Sequence, residues 1–292
     1  MKLYYYIDTG HRRGLDRLRR SAPVIKALQE ADVDVTMLTN DFRAGEYAKE
    51  QFGIRRYVSV DVVRNIANIA TPADALVFDS DDAAPSLLDD MIGYFGRLVR
   101  ISDDPEAVQH SGELLITPGG GTGSGVTADI VDPKYFAGGE HTSGTLYFWG
   151  DDDYEQKLLT CADAFAGMEV ALLEGYYFFM QYADELQKRF SSVLESEGYD
   201  EALQSATRFI TSSAQSALEA LAAGSRPVYV KRESAPSFLS RKMERFGIPV
   251  AQKFEKSAIE KAMAENPGYK TDRLNPEEAS DVSKSIAEFL KR

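Results

Sequence analysis

The densest concentration of chemistry-bearing residues in the chain is Thr211-Ser212-Ser213-Ala214-Gln215-Ser216-Ala217-Leu218-Glu219, which continues through Ala220 to Gly224-Ser225-Arg226-Pro227. A strand runs into small hydroxyl residues where a helix starts, and the helix ends at a glycine before a proline-led strand. Small side chains at a helix start leave its N–H groups open to a diphosphate, and an acidic residue about one turn further on can accept both hydroxyls of a ribose. Ser213, Gln215, Ser216 and Glu219 are therefore candidate binding residues. The alternative, a capped helix with an exposed glutamate, suits Glu219 taken alone better than the whole arrangement.

Three other loops carry unusual residues. Arg12, Arg13, Arg17, Arg19 and Arg20 put five arginines within nine residues, a local reversal of charge that suggests an anion site. With a helix starting near Gly14, Arg13, Arg17 and Arg20 stack on one face, whereas Arg19 reads as solvated surface. A guanidinium fork at Arg17 suits phosphate or carboxylate. His11, in the same loop, could serve as a general base near neutral pH or as a hydrogen-bonded structural residue. Gly119 to Gly125 holds five glycines in seven residues, able to turn N–H groups toward an anion or to act as a hinge. It is neither a Walker loop nor a dinucleotide fingerprint. Asp79, directly at the end of a strand, stands out among carboxylates that otherwise read as helix caps.

These loops need a scaffold to hold them. Leu3 to Ile7, Val33 to Leu38, Arg56 to Val60, Ala75 to Asp79, Arg97 to Ile101 and Glu113 to Thr117 read as strands separated by helical periodicity. Residues 126–143 lack periodicity and should contain the linker. Strands at Thr145 to Trp149, Glu169 to Leu173, Arg208 to Thr211, Pro227 to Lys231 and Pro249 to Ala251 follow, with a long helix expected from Met180 to Glu195. Strands alternating with helices imply parallel sheets covered on both faces. The expected division is an N-terminal α/β domain over 1–140 and a nucleotide-binding domain over 141–274. A final helix over 275–292, introduced by Asn275-Pro276, is expected to return to the first domain.

Composition narrows the functions. With 46 acidic and 33 basic residues among 292, the net charge of −13 is wrong for nucleic acid or anionic lipid. No apolar run approaches the ~20 residues of a membrane-spanning helix, so no membrane span is expected. One cysteine, Cys161, and three histidines make neither a disulfide nor a zinc site, which favours a reducing, cytoplasmic setting and no metal or cofactor.

The 211–227 segment resembles the nucleotide-binding motif of GT-B enzymes, particularly the peptidoglycan N-acetylglucosaminyltransferase family and the UDP-sugar hydrolase of pseudaminic acid biosynthesis. Gly14-Leu15-Asp16-Arg17 is similar to that hydrolase's Gly-Leu-Gly-His motif, Val77-Phe78-Asp79-Ser80-Asp81 to its strand ending in Asp-His-Tyr, Ile101-Ser102-Asp103-Asp104 to its Asp-Asp segment, and Leu146 to Asp152 to its second-domain start. The resemblance implies two Rossmann-like domains with parallel sheets facing across a cleft, and a nucleotide-sugar ligand. It implies ribose contact at Glu219 and diphosphate contact at Ser213 to Ser216. Arg17 stands where the family has its catalytic histidine, and Ser80-Asp81 replace a His-Tyr pair. A guanidinium cannot take a proton from water at neutral pH, so the family mechanism does not transfer unchanged.

The expected function is thus a nucleotide-sugar hydrolase or glycosyltransferase of cell-surface glycan biosynthesis, with UDP as the expected nucleotide. Asp16, His11 or Asp79 would be the base, and Gly14, Arg17, Gly121, Thr122 and Gly123 would steady the phosphates. The competing expectations are a non-catalytic relative that binds nucleotide-sugar after losing the histidine, and an epimerase on the same fold.

Overall fold

A computed structural model describes residues 1–81, 84–121, 125–265 and 268–292. The chain divides into two compact units, one of residues 1–10, 17–132 and 275–292, the other of residues 11–16 and 133–274.

The first unit contains β1 (Leu3–Ile7), α1 (Asp16–Glu30, its first residue counted with the other unit), β2 (Val35–Thr39), α2 (Phe42–Phe52), β3 (Tyr57–Ser59), β4 (Ala75–Asp79), α3 (Pro85–Phe95), β5 (Leu98–Ile101), β6 (Glu113–Thr117) and β7 (Val126–Thr127). Its seven strands are all parallel, in the order β3-β2-β1-β4-β5-β6-β7. β1 and β4 are buried at every position, as strands covered on both faces must be, which is why they read as unbroken apolar and aromatic runs. Helix ends follow local chemistry. The Asp41 carboxylate accepts the Arg43 N–H at 2.9 Å to start α2, and Gly53, at a φ of 71°, ends it.

The second unit contains β8 (Ser143–Phe148), α4 (Lys157–Cys161), β9 (Val170–Leu173), α5 (Met180–Leu186), β10 (Val193–Leu194), α6 (Tyr199–Ser205), β11 (Ala206–Thr211), α7 (Ala214–Ala222), β12 (Arg226–Val230), α8 (Ser237–Arg245), β13 (Val250–Ala251) and α9 (Lys256–Ala264). Its six strands are also parallel, in the order β10-β9-β8-β11-β12-β13. One face of this sheet carries a core of Tyr147, Leu172, Ile210, Val228 and Val230 with Trp149, Phe165 and Ile259. On the other face α7 packs against β11 and β12. α10 (Glu278–Lys291) belongs to the first unit and buries Val282, Ile286 and Leu290 along one stripe.

Both sheets therefore have the doubly wound order in which the chain starts in the middle, grows to one side, then crosses to the other. Two sequence expectations are corrected. The helix expected over 180–195 stops at Leu186, because Ser191 N–H and Ser192 C=O join the backbone of β9 and lead into β10. The first helix starts at Asp16 rather than Gly14, so Arg13 lies outside it and does not stack on Arg17 and Arg20.

Candidate functional site

In doubly wound sheets, ligands sit beyond the carboxyl ends of the strands where the strand order reverses. That point lies between β1 and β4 in the first unit and between β8 and β11 in the second.

In the first unit the point is filled by the protein's own charges. Asp79, the last residue of β4, has no exposed surface and accepts Arg20 Nε at 3.0 Å and Ser21 Oγ at 2.8 Å, with Arg20 Nη2 on its other oxygen. Arg20 Nη1 reaches Asp103, while Arg17 Nη2 pairs with Asp81 at 2.5 Å and with Asp103 at 3.5 Å. Burial alone would make the Arg17 guanidinium easier to deprotonate, but Asp103, Asp79 and Asp81 outweigh it and hold the charge more firmly. Beside this cluster the buried Asp8 accepts Asn40 Nδ2 at 3.1 Å and Ser80 Oγ at 3.3 Å.

This arrangement corrects three expectations. Asp79 is held as a counterion between an arginine fork and a serine, in place of the open carboxylate expected of a base. Arg17 spends its charge on carboxylates of its own unit. Arg19, expected on the surface, is only 2% exposed. Gly121 is also reassigned: a side chain there would collide with the Pro105 carbonyl, so its bareness makes room for backbone rather than for a ligand. Thr122 and Gly123 lie outside the described residues.

In the second unit the point is lined by hydroxyls. Ser213 caps α7 with its Oγ accepting the Ser216 N–H at 3.0 Å. The same Oγ donates to both oxygens of Asp16, at 2.8 and 2.9 Å, and touches Ser216 Oγ at 2.8 Å. Ser216 Oγ meets Tyr199 Oη at 2.7 Å, and that phenol lies 2.6 Å from Glu219 Oε2. Gln215 Nε2 donates to Glu219 Oε1 at 3.0 Å. Asp16, Ser213, Ser216, Gln215 and Glu219 are thus brought together, with Glu219 fully buried rather than exposed. A ribose at this carboxylate would have to take the places of Tyr199 and Gln215.

The loop after β8 completes the setting. Asp151 Oδ2 accepts the Leu15 N–H at 3.3 Å, and Gly14, at a φ of +73°, lies so close to Asp152 that an added Cβ would sit 3.2 Å from its carboxylate. Arg232 grips Asp152 at 2.9 and 3.2 Å, with its guanidinium 4.5 Å over the Trp149 ring. Burial pushes the Asp152 carboxyl up against the pull of Arg232, and the charges of Asp16 and Asp151 add to the rise. Burial likewise pushes the Tyr229 phenol up to about 12, with Asp16 contributing. His11 is exposed and lies 4.9 Å from the Tyr154 ring at a tilt of 42°, and Arg12 sits 4.5 Å over the same ring.

No protein-family model and no curated protein matches the chain. Solved structures do. The S. aureus MnaA–UDP complex aligns over 100% of this chain and 96% of its own, with 12% identity and a TM-score of 0.63. The UDP-GlcNAc 2-epimerase of Methanocaldococcus jannaschii, in complex with UDP-GlcNAc and UDP, aligns over 99% and 100% with 10% identity and a TM-score of 0.62. Acinetobacter baumannii MurG aligns over 99% and 100% with 12% identity and a TM-score of 0.55. The likeness is one of fold, the GT-B fold of two Rossmann-like α/β units.

Within this GT-B fold, the sequence pattern found the start of α7 and missed what surrounds it. Tyr199 carries no local signal, because it reaches Glu219 from the start of α6, 20 residues earlier. Arg232 follows an unremarkable buried strand. Arg20 had a signal in its three-residue spacing from Arg17 along α1, which places both on one face. Among the described residues, no group of three or more His, Cys, Asp or Glu side chains could hold a metal ion, and no helix is long and apolar enough to cross a membrane.

Proposed function

We propose that the protein acts on a nucleotide-activated sugar, a UDP-sugar, by hydrolysis or glycosyl transfer in cell-surface glycan assembly. The observation that carries this reading is the start of α7 at the reversal point of the second sheet, where Ser213 and Ser216 line a helix terminus whose dipole favours an anion. Fold neighbours that hold UDP or UDP-GlcNAc support it. The diphosphate would lie against Ser213 and the α7 terminus. Asp16 is then the base, placed 2.8 Å from the same serine, and His11 is the second candidate. Glu219 would meet the ribose only after Tyr199 and Gln215 yield its oxygens.

A second reading is a relative that binds the nucleotide-sugar without turning it over. It is favoured by Arg17, which replaces the histidine of the resembling hydrolase and is tied to Asp81 and Asp103.

Calorimetry with UDP-, GDP-, CMP- and dTDP-sugars tests both. Micromolar binding of a UDP-sugar that Glu219→Ala weakens at least tenfold supports the ligand, and no binding to any of the four removes it. Release of free UDP, lost in Asp16→Asn, favours hydrolysis. Binding without release, whatever acceptor is offered, favours the second reading. Product analysis with UDP-N-acetylhexosamines identifies an epimerase.

A further inference from the structure

Asp16, Ser213, Ser216, Tyr199 and Glu219 form a series of oxygen contacts that runs from a carboxylate to a carboxylate. Its four links measure 2.8, 2.8, 2.7 and 2.6 Å, each short enough to need a hydrogen between the oxygens. The three intervening hydroxyls supply one hydrogen each. The Ser216 N–H also points at Ser213 Oγ, but it fills a lone pair and adds no hydrogen to the series. With both ends ionised, four links would share three hydrogens, and one pair of oxygens would face each other bare.

We infer that Asp16 and Glu219 together retain one proton at neutral pH and exchange it through the three hydroxyls. One extra proton at either end completes all four links. With the proton on Glu219, each group donates toward Asp16: Glu219 to Tyr199, Tyr199 to Ser216, Ser216 to Ser213, and Ser213 to Asp16. In the reverse arrangement Asp16 carries the proton, and every O–H bond in the series breaks on one side and forms on the other, with no net gain or loss of hydrogen. Glu219, Ser216, Ser213 and Tyr199 are buried, whereas Asp16 is half-buried, so the series joins a sealed carboxyl to one that reaches solvent.

The surroundings favour the first arrangement. Asp16 lies at the amino end of α7, whose dipole stabilises a negative charge. Glu219 has no exposed surface, which disfavours its charged form. Tyr135, from the short helix packed on α7, is a titratable neighbour whose phenol is pushed up chiefly by burial. Tyr135 Oη donates to Asp200 at 2.6 Å, and Lys134 neutralises that carboxylate at 2.6 Å. Asp151, Asp152, Arg232 and Tyr229 are the charged and titratable groups beside Asp16 from the β8 loop and β12.

The inference stands whether or not a nucleotide binds, and infrared difference spectroscopy of the ligand-free protein at pH 7 tests it. The wild type should show one carbonyl band of a protonated carboxylic acid that Glu219→Gln lacks. Asp16→Asn should lack it too, because the asparagine amide can donate to Ser213 and complete the links with Glu219 ionised. Burial of Glu219 alone would leave the band in Asp16→Asn, since that change touches neither Glu219 nor its cover. Ser213→Ala, which leaves two hydroxyls for the two remaining links, should also lose the band and serves as the second variant. Absence of the band in the wild type, or its persistence at full size in Asp16→Asn or Ser213→Ala, overturns the inference.

Discussion

The two units solve the same topological problem with different chemistry. Each has a parallel sheet whose strand order reverses beside its first strand, and in each the loops at that point carry buried polar side chains. The first unit fills the place with full charges, Arg17 and Arg20 against Asp79, Asp81 and Asp103. The second uses mostly neutral hydroxyls between two carboxyls. A buried ion cluster is rigid because removing one partner strands another charge. A hydroxyl series can reverse its direction without moving a heavy atom. The first unit's point is thus fixed by ion pairs, whereas the second is the one to which the anion and the shared proton are assigned by proposal.

The largest expected effect is therefore in the first unit. Asp79→Ala leaves Arg20 facing Asp103 alone and deprives Ser21 of its acceptor, so it should destabilise by about 3–5 kcal/mol in denaturant unfolding. Glu219→Gln, at an equally buried site, should cost less than half as much, because the amide can still meet Tyr199. Equal losses would erase the contrast. Next comes Arg20→Lys, which keeps the charge but cannot span Asp79 and Asp103 with a planar fork; a loss of about 1–3 kcal/mol is expected. Ser213→Ala removes the α7 cap and should cost about 1 kcal/mol in thermal unfolding.

The smallest effect concerns an exposed carboxylate of the first unit. Asp74 accepts the Lys2 N–H at 2.9 Å and the Thr71 N–H at 3.0 Å, and the Lys2 bond is the main cause of its lowered pKa. A carboxyl lowered by folding stabilises above its unfolded value of 3.8, and the contribution fades as pH falls through the lower folded value. Asp74→Asn should therefore flatten the stability profile slightly below pH ~4 and leave its shape near neutrality unchanged. A difference that grows toward alkaline pH would contradict this.

How much the sequence disclosed depended on the range of the interaction. β4 and β6 were read to the residue, because buried strands bounded by polar residues advertise both ends. α7 was legible from its serines and its terminal glycine. The stretch after Leu186 was misread, since Ser191 and Ser192 take up backbone pairing with a strand that lies about 20 residues earlier, and local periodicity carries no trace of that. The site shows the same split. Ser213, Ser216 and Glu219 share one helix and were visible as a pattern, whereas Tyr199 and the partners of Asp16 and Asp79 meet only through tertiary folding. Glu219 could be located from sequence but its burial could not, because burial is set by the residues that fold over it.

The outermost strands have a further consequence. β7, β10 and β13 are two residues long and β3 is three. Long open edges invite a stranger's backbone to add itself to a sheet, and very short ones offer it too few amide and carbonyl groups to hold on. The described residues thus carry thirteen strands yet give amyloid-type stacking little purchase, which should show as slow fibril growth in agitated, concentrated solution.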